Sequence, residues 1–319
     1  MNSTSPKDEL RSVADNHTTY STGPKRGFVP CGLSVDVEDY FHVEAFADRI
    51  HAETWPRYPS RVLENTRRVM RVFEDCGAHA TFFVLGYVAE KEPSLVREIV
   101  AAGHEIGCHS HMHRRVFKMT PKEFREDLHR ATGVIEDAGG QKVVGYRAPT
   151  FSIVEESLWA LEILADEGFL YDSSIFPVRH DLYGMPNAPR FPYRWKFRDG
   201  RTLIEIPPST VRFAGRNWPA AGGGYLRILP MAYTRWALNR VQQRDGKPAV
   251  IYFHPWEIDP DQPRLSGSLK SRLRHYSNLG VMEKRVRMLL GKSRFVSFKS
   301  MLESYPSQEL PTLEFDVQK

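Results

Sequence analysis

The sequence predicts an α/β protein built on a mainly parallel sheet, and three observations carry that expectation. Short apolar runs alternate with segments whose apolar positions recur at the helical period. Several of those runs give way directly to Asp, Glu, His or Arg, at the strand ends where α/β folds place catalytic groups. With 319 residues the chain has material for one large domain or two modest ones around a substantial core.

Residues 1–26, rich in Ser, Thr, Asn and charge, read as a disordered leader that ends in the turn-forming Gly23-Pro24. The first strand, Cys31-Gly32-Leu33-Ser34-Val35, runs into Asp36-Val37-Glu38-Asp39. Asp and Glu are poor strand formers, so three carboxylates at a buried strand end imply either chemistry or a helix cap. Residues 60–75 carry a helical pattern that Gly77 closes. A second strand over 80–84, a helix over 94–102 and a third strand over 104–108 complete a strand-helix-strand-helix-strand unit, which implies a parallel sheet, closed or open.

A charged helix over 121–138 leads to a strand over 143–146 that delivers Arg147-Ala148-Pro149, and a helix over 155–167 leads to Tyr171-Asp172. Residues 176–199, dense in Pro, aromatics and Arg, read as a long structured loop. A strand follows over 202–206. The Gly-rich stretch 220–225 lacks the Lys-Ser/Thr of a phosphate loop and reads as a flexible or close-approach segment near a ligand. A helix over 231–244 precedes the last clear strand, 249–253, which ends in His254-Pro255-Trp256, and the tail holds a helix over 281–290 and a strand over 295–298.

The third strand opens into His109-Ser110-His111-Met112-His113, where spacing alone supplies imidazoles for a divalent metal. On an extended strand all three share a face; on a helical turn only His109 and His113 do. Two histidines and a carboxylate leave coordination positions open, the composition of a hydrolytic centre. There a second, uncoordinated carboxylate accepts a proton from water, and an isolated histidine, with His254 in the right position, donates one to the leaving group.

Asp36, His109, Arg147-Ala148-Pro149, Asp172 and Tyr252-Phe253-His254-Pro255 resemble, in this order, the motifs of the NodB-type polysaccharide deacetylases. The resemblance spans residues 30–258. It implies a distorted (β/α) barrel of seven or eight strands and metal-dependent removal of acetyl groups from amino-sugar polymers. By the same resemblance Asp36 is the general base, His109 and His113 are metal ligands, Arg147 orients the base, Asp172 tunes the site and His254 is the general acid. Where the family commonly has two adjacent Asp residues, this chain has Asp36-Val37-Glu38-Asp39, so the third ligand is Glu38 or its rival Asp39, Glu38 being favoured because residues two apart share a face. The stretch Asp36 to His42 and the long carboxyl-terminal part look like the subfamily found with bacterial exopolysaccharide clusters. These parallels imply a zinc ion, a carbohydrate substrate contacted by Pro149, Tyr225 and Trp256, a barrel over 27–258 and an extension over 259–319 packed on it. A small-amide or cyclic-amide hydrolase, favoured by a closed pocket over an open groove, and a non-catalytic carbohydrate-binding relative are the alternatives.

A net charge of +5 with a pI near 9.0 comes without a stacking platform or a reading helix, so nucleic acid is not expected as a partner. Three cysteines are too few and odd for a disulfide framework and fit a reducing compartment. With no signal peptide and no membrane span expected, the cytoplasm is the default location.

Overall fold

The computed structural model of the chain describes residues 30–220, 222–305 and 310–316; the leader expected over 1–26 lies outside them. Twelve strands are present among the described residues. They are β1 Cys31–Val37, β2 Thr81–Val84, β3 Glu105–Cys108, β4 Gly145–Tyr146, β5 Tyr171–Asp172, β6 Tyr193–Lys196, β7 Thr202–Glu205, β8 Thr210–Phe213, β9 Arg216–Pro219, β10 Val250–Phe253, β11 Phe295–Val296 and β12 Thr312–Glu314. The helices are α1 Val62–Cys76, α2 Gly86–Lys91, α3 Pro93–Ala101, α4 Pro121–Gly139, α5 Trp159–Asp166, α6 Gly223–Ile228, α7 Met231–Asn239, α8 Leu269–Tyr276, α9 Leu279–Leu290 and α10 Phe298–Ser304. Among them none is long and apolar enough to cross a membrane.

The protein is α/β, a distorted barrel whose sheet runs β10-β1-β2-β3-β4-β5-β7-β6-β12 and is parallel except where β6 meets β7. Between β7 and β10 the ring closes through one residue: the Ser209 amide donates to the Val250 carbonyl at 3.0 Å, and the Val250 amide donates to Ser209 Oγ at 2.7 Å. Strand alternation then sorts the side chains. Leu33, Val35 and Val37 of β1 point out into the layer formed with the helices, whereas Gly32, Ser34 and Asp36 point in. The floor of the barrel is filled by Phe83, Tyr171, Val250 and, from α10, Phe298 and Met301. Gly32 leaves room for this plug: a Cβ there would stand 2.9 Å from Met301 Sδ and 3.0 Å from Phe298 Cε1, so the plug would have to shift.

The expected strands and helices appear within a few residues of their expected bounds, and the differences are concentrated after residue 176. The loop expected over 176–199 contains β6, whose buried Tyr193 and Trp195 alternate with Arg194 and Lys196, a strand pattern masked by the surrounding prolines. The strand expected over 295–298 is only two residues long, because the Ser297 side chain accepts the Ser300 amide and starts α10. The β8-β9 hairpin, α8 and β12 had no expected counterpart. Residues beyond 259 contribute β11 beside β1 and β12 beside β6 to the same sheet.

Candidate metal centre and active site

The histidine run forms neither a strand nor a helical turn. Residues 109–115 are a loop in which Ser110 (φ 66°) and His113 (φ 52°) are left-handed, a conformation that non-glycine residues rarely adopt. Neighbours pin the loop: the Gly86 and Tyr87 amides at the start of α2 donate to the Ser110 and His111 carbonyls, and the His111 amide donates to Asp127 Oδ2 at 2.9 Å. The two reversals bring the His109 and His113 rings to 5.5 Å between centroids and turn His111 away. His111 packs on Gly86, where a Cβ would stand 2.3 Å from its ring, and its Nε2 lies 3.6 Å from Glu90.

Glu38 joins His109 and His113, with ligand atoms that all lie within 4.8 Å of one another. Its Oε2 stands 2.8 Å from His113 Nε2, and its Oε1 accepts the Trp256 indole N–H at 3.2 Å. Asp39 turns the other way and serves as an end cap, accepting from Ser60 Oγ and the Arg61 and Val62 amides at the start of α1. His109 Nδ1 is 2.8 Å from the Arg147 carbonyl, an acceptor, so Nδ1 carries the proton and the Nε2 lone pair is free. Burial lowers the His109 pKa to about 4, which keeps the ring neutral. Burial raises the Glu38 pKa, but His113, His254 and His109 outweigh it and hold the carboxyl below the usual range. A neutral imidazole with a free lone pair and an ionised, buried carboxylate fit a divalent cation.

Asp36 and Arg147, delivered inward by β1 and β4, form a buried pair: Arg147 Nη1 donates to Asp36 Oδ1 at 2.6 Å. The other guanidinium nitrogens donate to the Ser173 carbonyl and hydroxyl, and Nη1 also donates to Ser34 Oγ, so each nitrogen is partnered. Across the cleft, His254 Nε2 lies 3.8 Å from Asp36 and 3.5 Å from Glu38. Its Nδ1 is 2.7 Å from Glu257 Oε1, and Glu257 in turn accepts from Arg227 Nε at 2.5 Å. Burial works against the charged ring, but Glu38, Glu257 and Asp36 raise the His254 pKa to about 9. Glu257 and Arg227 were missed from the sequence; the only signal was a carboxylate three residues after His254, and nothing announced Arg227.

Two expected residues sit elsewhere. Asp172 alternates with Tyr171, whose ring fills the barrel floor, so Asp172 points outward and does not line the cleft. It accepts from Ser174 Oγ at 2.5 Å, and Ser174 Oγ accepts the Ala148 amide, so it reaches the site only by supporting the backbone after Arg147. Burial raises its pKa to about 6, and raises the adjacent Glu205 well above the usual range, as for two carboxyls sharing a proton. Pro149 is buried behind the wall, which is made instead by Thr150 and Phe151, both left-handed. Tyr225 and Trp256 do line the pocket, a half-open space of about 380 Å³, whereas Trp195 is in the core and Trp218 is on the exposed hairpin. Gly222 and Gly223 are a close approach to Tyr252 of the pocket wall: a Cβ on Gly222 (φ 124°) would stand 2.3 Å from its ring and one on Gly223 (φ 45°) 3.1 Å from it.

The polysaccharide deacetylase family model matches residues 54–165, and a domain of unknown function, DUF3473, matches residues 173–303. A peptidoglycan deacetylase of Helicobacter pylori is 33% identical over 108 residues, 34% of this chain and 36% of that protein. A peptidoglycan-N-acetylglucosamine deacetylase of Bacillus cereus is 33% identical over 101 residues, 31% of this chain and 37% of that protein. The chain thus spans about a third of the length of these curated relatives. A Mycobacterium smegmatis structure described as a polysaccharide deacetylase shares the fold, with a TM-score of 0.62 at 21% identity over 93% of this chain and 97% of that one.

Proposed function

We propose that this chain, which carries a polysaccharide deacetylase domain, is a zinc-dependent hydrolase that removes N-acetyl groups from amino sugars of a bacterial polysaccharide or its precursor. The observation that carries this reading is the convergence of Glu38, His109 and His113 between a carboxylate held by an arginine and a histidine held by a carboxylate. A divalent cation held by these three side chains would polarise the acetyl carbonyl and acidify water. Asp36, its free Oδ2 facing His254, takes the proton of the attacking water, and the Arg147 bond fixes the carboxylate for that transfer. His254, kept protonated by Glu38 and Glu257, gives a proton to the departing amine. Trp256, bonded to Glu38 and stacked on His254 and His275, fixes both catalytic sides and offers its edge to the substrate.

The test is acetate release from N-acetylglucosamine oligomers by the zinc-loaded chain. Activity should vanish on chelation and return with zinc, and His113→Ala should bind no stoichiometric zinc and fall to background. Activity that survives chelation overturns the reading. A second reading, a small-amide hydrolase, is favoured by the roof: Gly224, Tyr225, Arg274 and His275 wall the pocket and hold it to a volume at the low end for ligand sites. Turnover of cyclic ureides or imides in place of the oligomers would select it.

A further inference from the structure

β5 ends at Asp172, and the residues that follow carry Arg147. The Ser173 carbonyl and Oγ accept from Arg147, and Ser174 Oγ accepts the Ala148 amide at 2.7 Å, so residues 173–175 hold the guanidinium that holds Asp36. What holds these residues in turn lies on the outer face of the sheet. The strand ladder gives them one bond, from the Ser173 amide to the Tyr146 carbonyl. The next two amides turn to side chains: Ser174 donates to Asp172 Oδ2 at 3.3 Å, and Ile175 donates to Glu205 Oε1 at 3.0 Å. Buried amides need partners, so these two carboxyls take over where the ladder stops.

Glu205 stands beside Asp172 because β5 and β7 pair in parallel with these two residues in register, and both are fully buried. Two neighbouring carboxyls away from water do not both ionise, so one keeps its proton. Burial and the charge of Asp172 push Glu205 well above the usual carboxyl range, while Asp172 is raised to about 6, so Glu205 is the donor and Asp172 the acceptor of the bond between them. Both ends of the Glu205 carboxyl are thus used on the same segment. Oε1 receives the Ile175 amide, and the proton goes to Asp172, whose Oδ1 accepts the Ser174 hydroxyl at 2.5 Å. An apolar side chain in its place would leave the Ile175 amide unpaired and Asp172 without its donor, and the buried segment would have to move to find other partners.

We propose that Glu205 is a positioning residue of the reaction: bonded to Asp172 and to the Ile175 amide, it holds residues 173–175 in the place from which Ser173 aligns Arg147 with Asp36. The inference rests on the deacetylase reading for the role of Asp36, and adds to it a residue that lies behind the pocket wall and touches no substrate.

The test is a double-substitution cycle on the zinc-loaded chain, read as acetate release from N-acetylglucosamine oligomers. Glu205→Leu should lower kcat about tenfold to a hundredfold, as expected when a reacting group is misaligned, with KM and zinc content kept within about twofold. Glu205→Gln, which can still accept from Ile175 and donate to Asp172, should recover most of that loss. In the Asp36→Asn background Glu205→Leu should cost less than about threefold more, because the group it aligns is already gone. The same loss repeated in that background, wild-type kcat in Glu205→Leu, or no recovery in Glu205→Gln overturns the assignment. If Glu205→Leu does not fold, Glu205→Asp, which draws the carboxyl back by one methylene, runs the same cycle. If the wild type releases no acetate, the deacetylase reading fails by itself, and crystal structures of the wild type and of the folded Glu205 variant decide the positioning: an Arg147–Asp36 bond lost in the variant supports it, and one kept overturns it.

Discussion

Residues 30–172 and residues 173–316 build the same barrel by different rules. The first part is a regular succession of parallel strands and covering helices, β1 to β5 with α1 to α5, and the ends of β1, β3, β4 and β5 carry their polar residues next in sequence. The second part interrupts the pattern with antiparallel β6, the β8-β9 hairpin and a barrel plug, α10, that comes after the last ring strand. Yet on the proposed reading the second part holds the acid, His254, its orienting Glu257 and Arg227, and the roof with Tyr225 and Arg274. On that reading the regular part supplies the cation's ligands and the base, and the irregular part supplies the acid and the roof over them.

Three substitutions would break or sharpen that contrast. The largest effect belongs to the regular part: Asp36→Asn should lower kcat by about 10²–10⁴-fold while the zinc content stays at one equivalent, as expected for a lost general base. Metal analysis and acetate release on the same sample check it, and wild-type kcat would remove Asp36 from the chemistry. In the irregular part, Glu257→Gln should cost about 10–100-fold, the range typical of groups that orient a reacting residue. It should also move the basic limb of kcat/KM to lower pH. The sign follows from the charge: the Glu257 carboxylate favours the imidazolium of His254 and helps raise its pKa to about 9, so removing that charge lets the proton leave earlier. An unmoved limb would reduce this part of the protein to packing. The smallest effect on activity is expected for His111→Ala, which should keep zinc and kcat and lose roughly 0.5–3 kcal/mol of stability by emptying the space over Gly86, measured by denaturant unfolding.

Much of the site was legible because a parallel strand and the polar residues beyond it are adjacent in sequence. β1, β3, β4 and β10 were recognisable as apolar runs, and Asp36, His109, Arg147 and His254 continue their inward-facing parity. For Asp172, expected from the resemblance as a tuning residue, the packing of Tyr171 on the barrel floor shows which member of β5 faces in. Arg147-Ala148-Pro149 located the wall to within two residues, but the left-handed turn at Thr150 and Phe151 transfers the surface from Pro149 to its successors.

By itself, then, the sequence determined the strand-helix alternation, the inward residues at four strand ends and a donor set suited to a divalent cation, because these follow from local pattern and side-chain chemistry. The tertiary structure decided that Glu38 faces the histidines while Asp39 caps α1, that His113 and not His111 turns inward, and that Arg227 steadies Glu257 across 30 positions of chain. The physical reason is common to all three. Each depends on backbone reversals or partners that non-glycine residues do not announce, such as the left-handed Ser110 and His113, and on contacts whose energy exists only once distant segments are packed together.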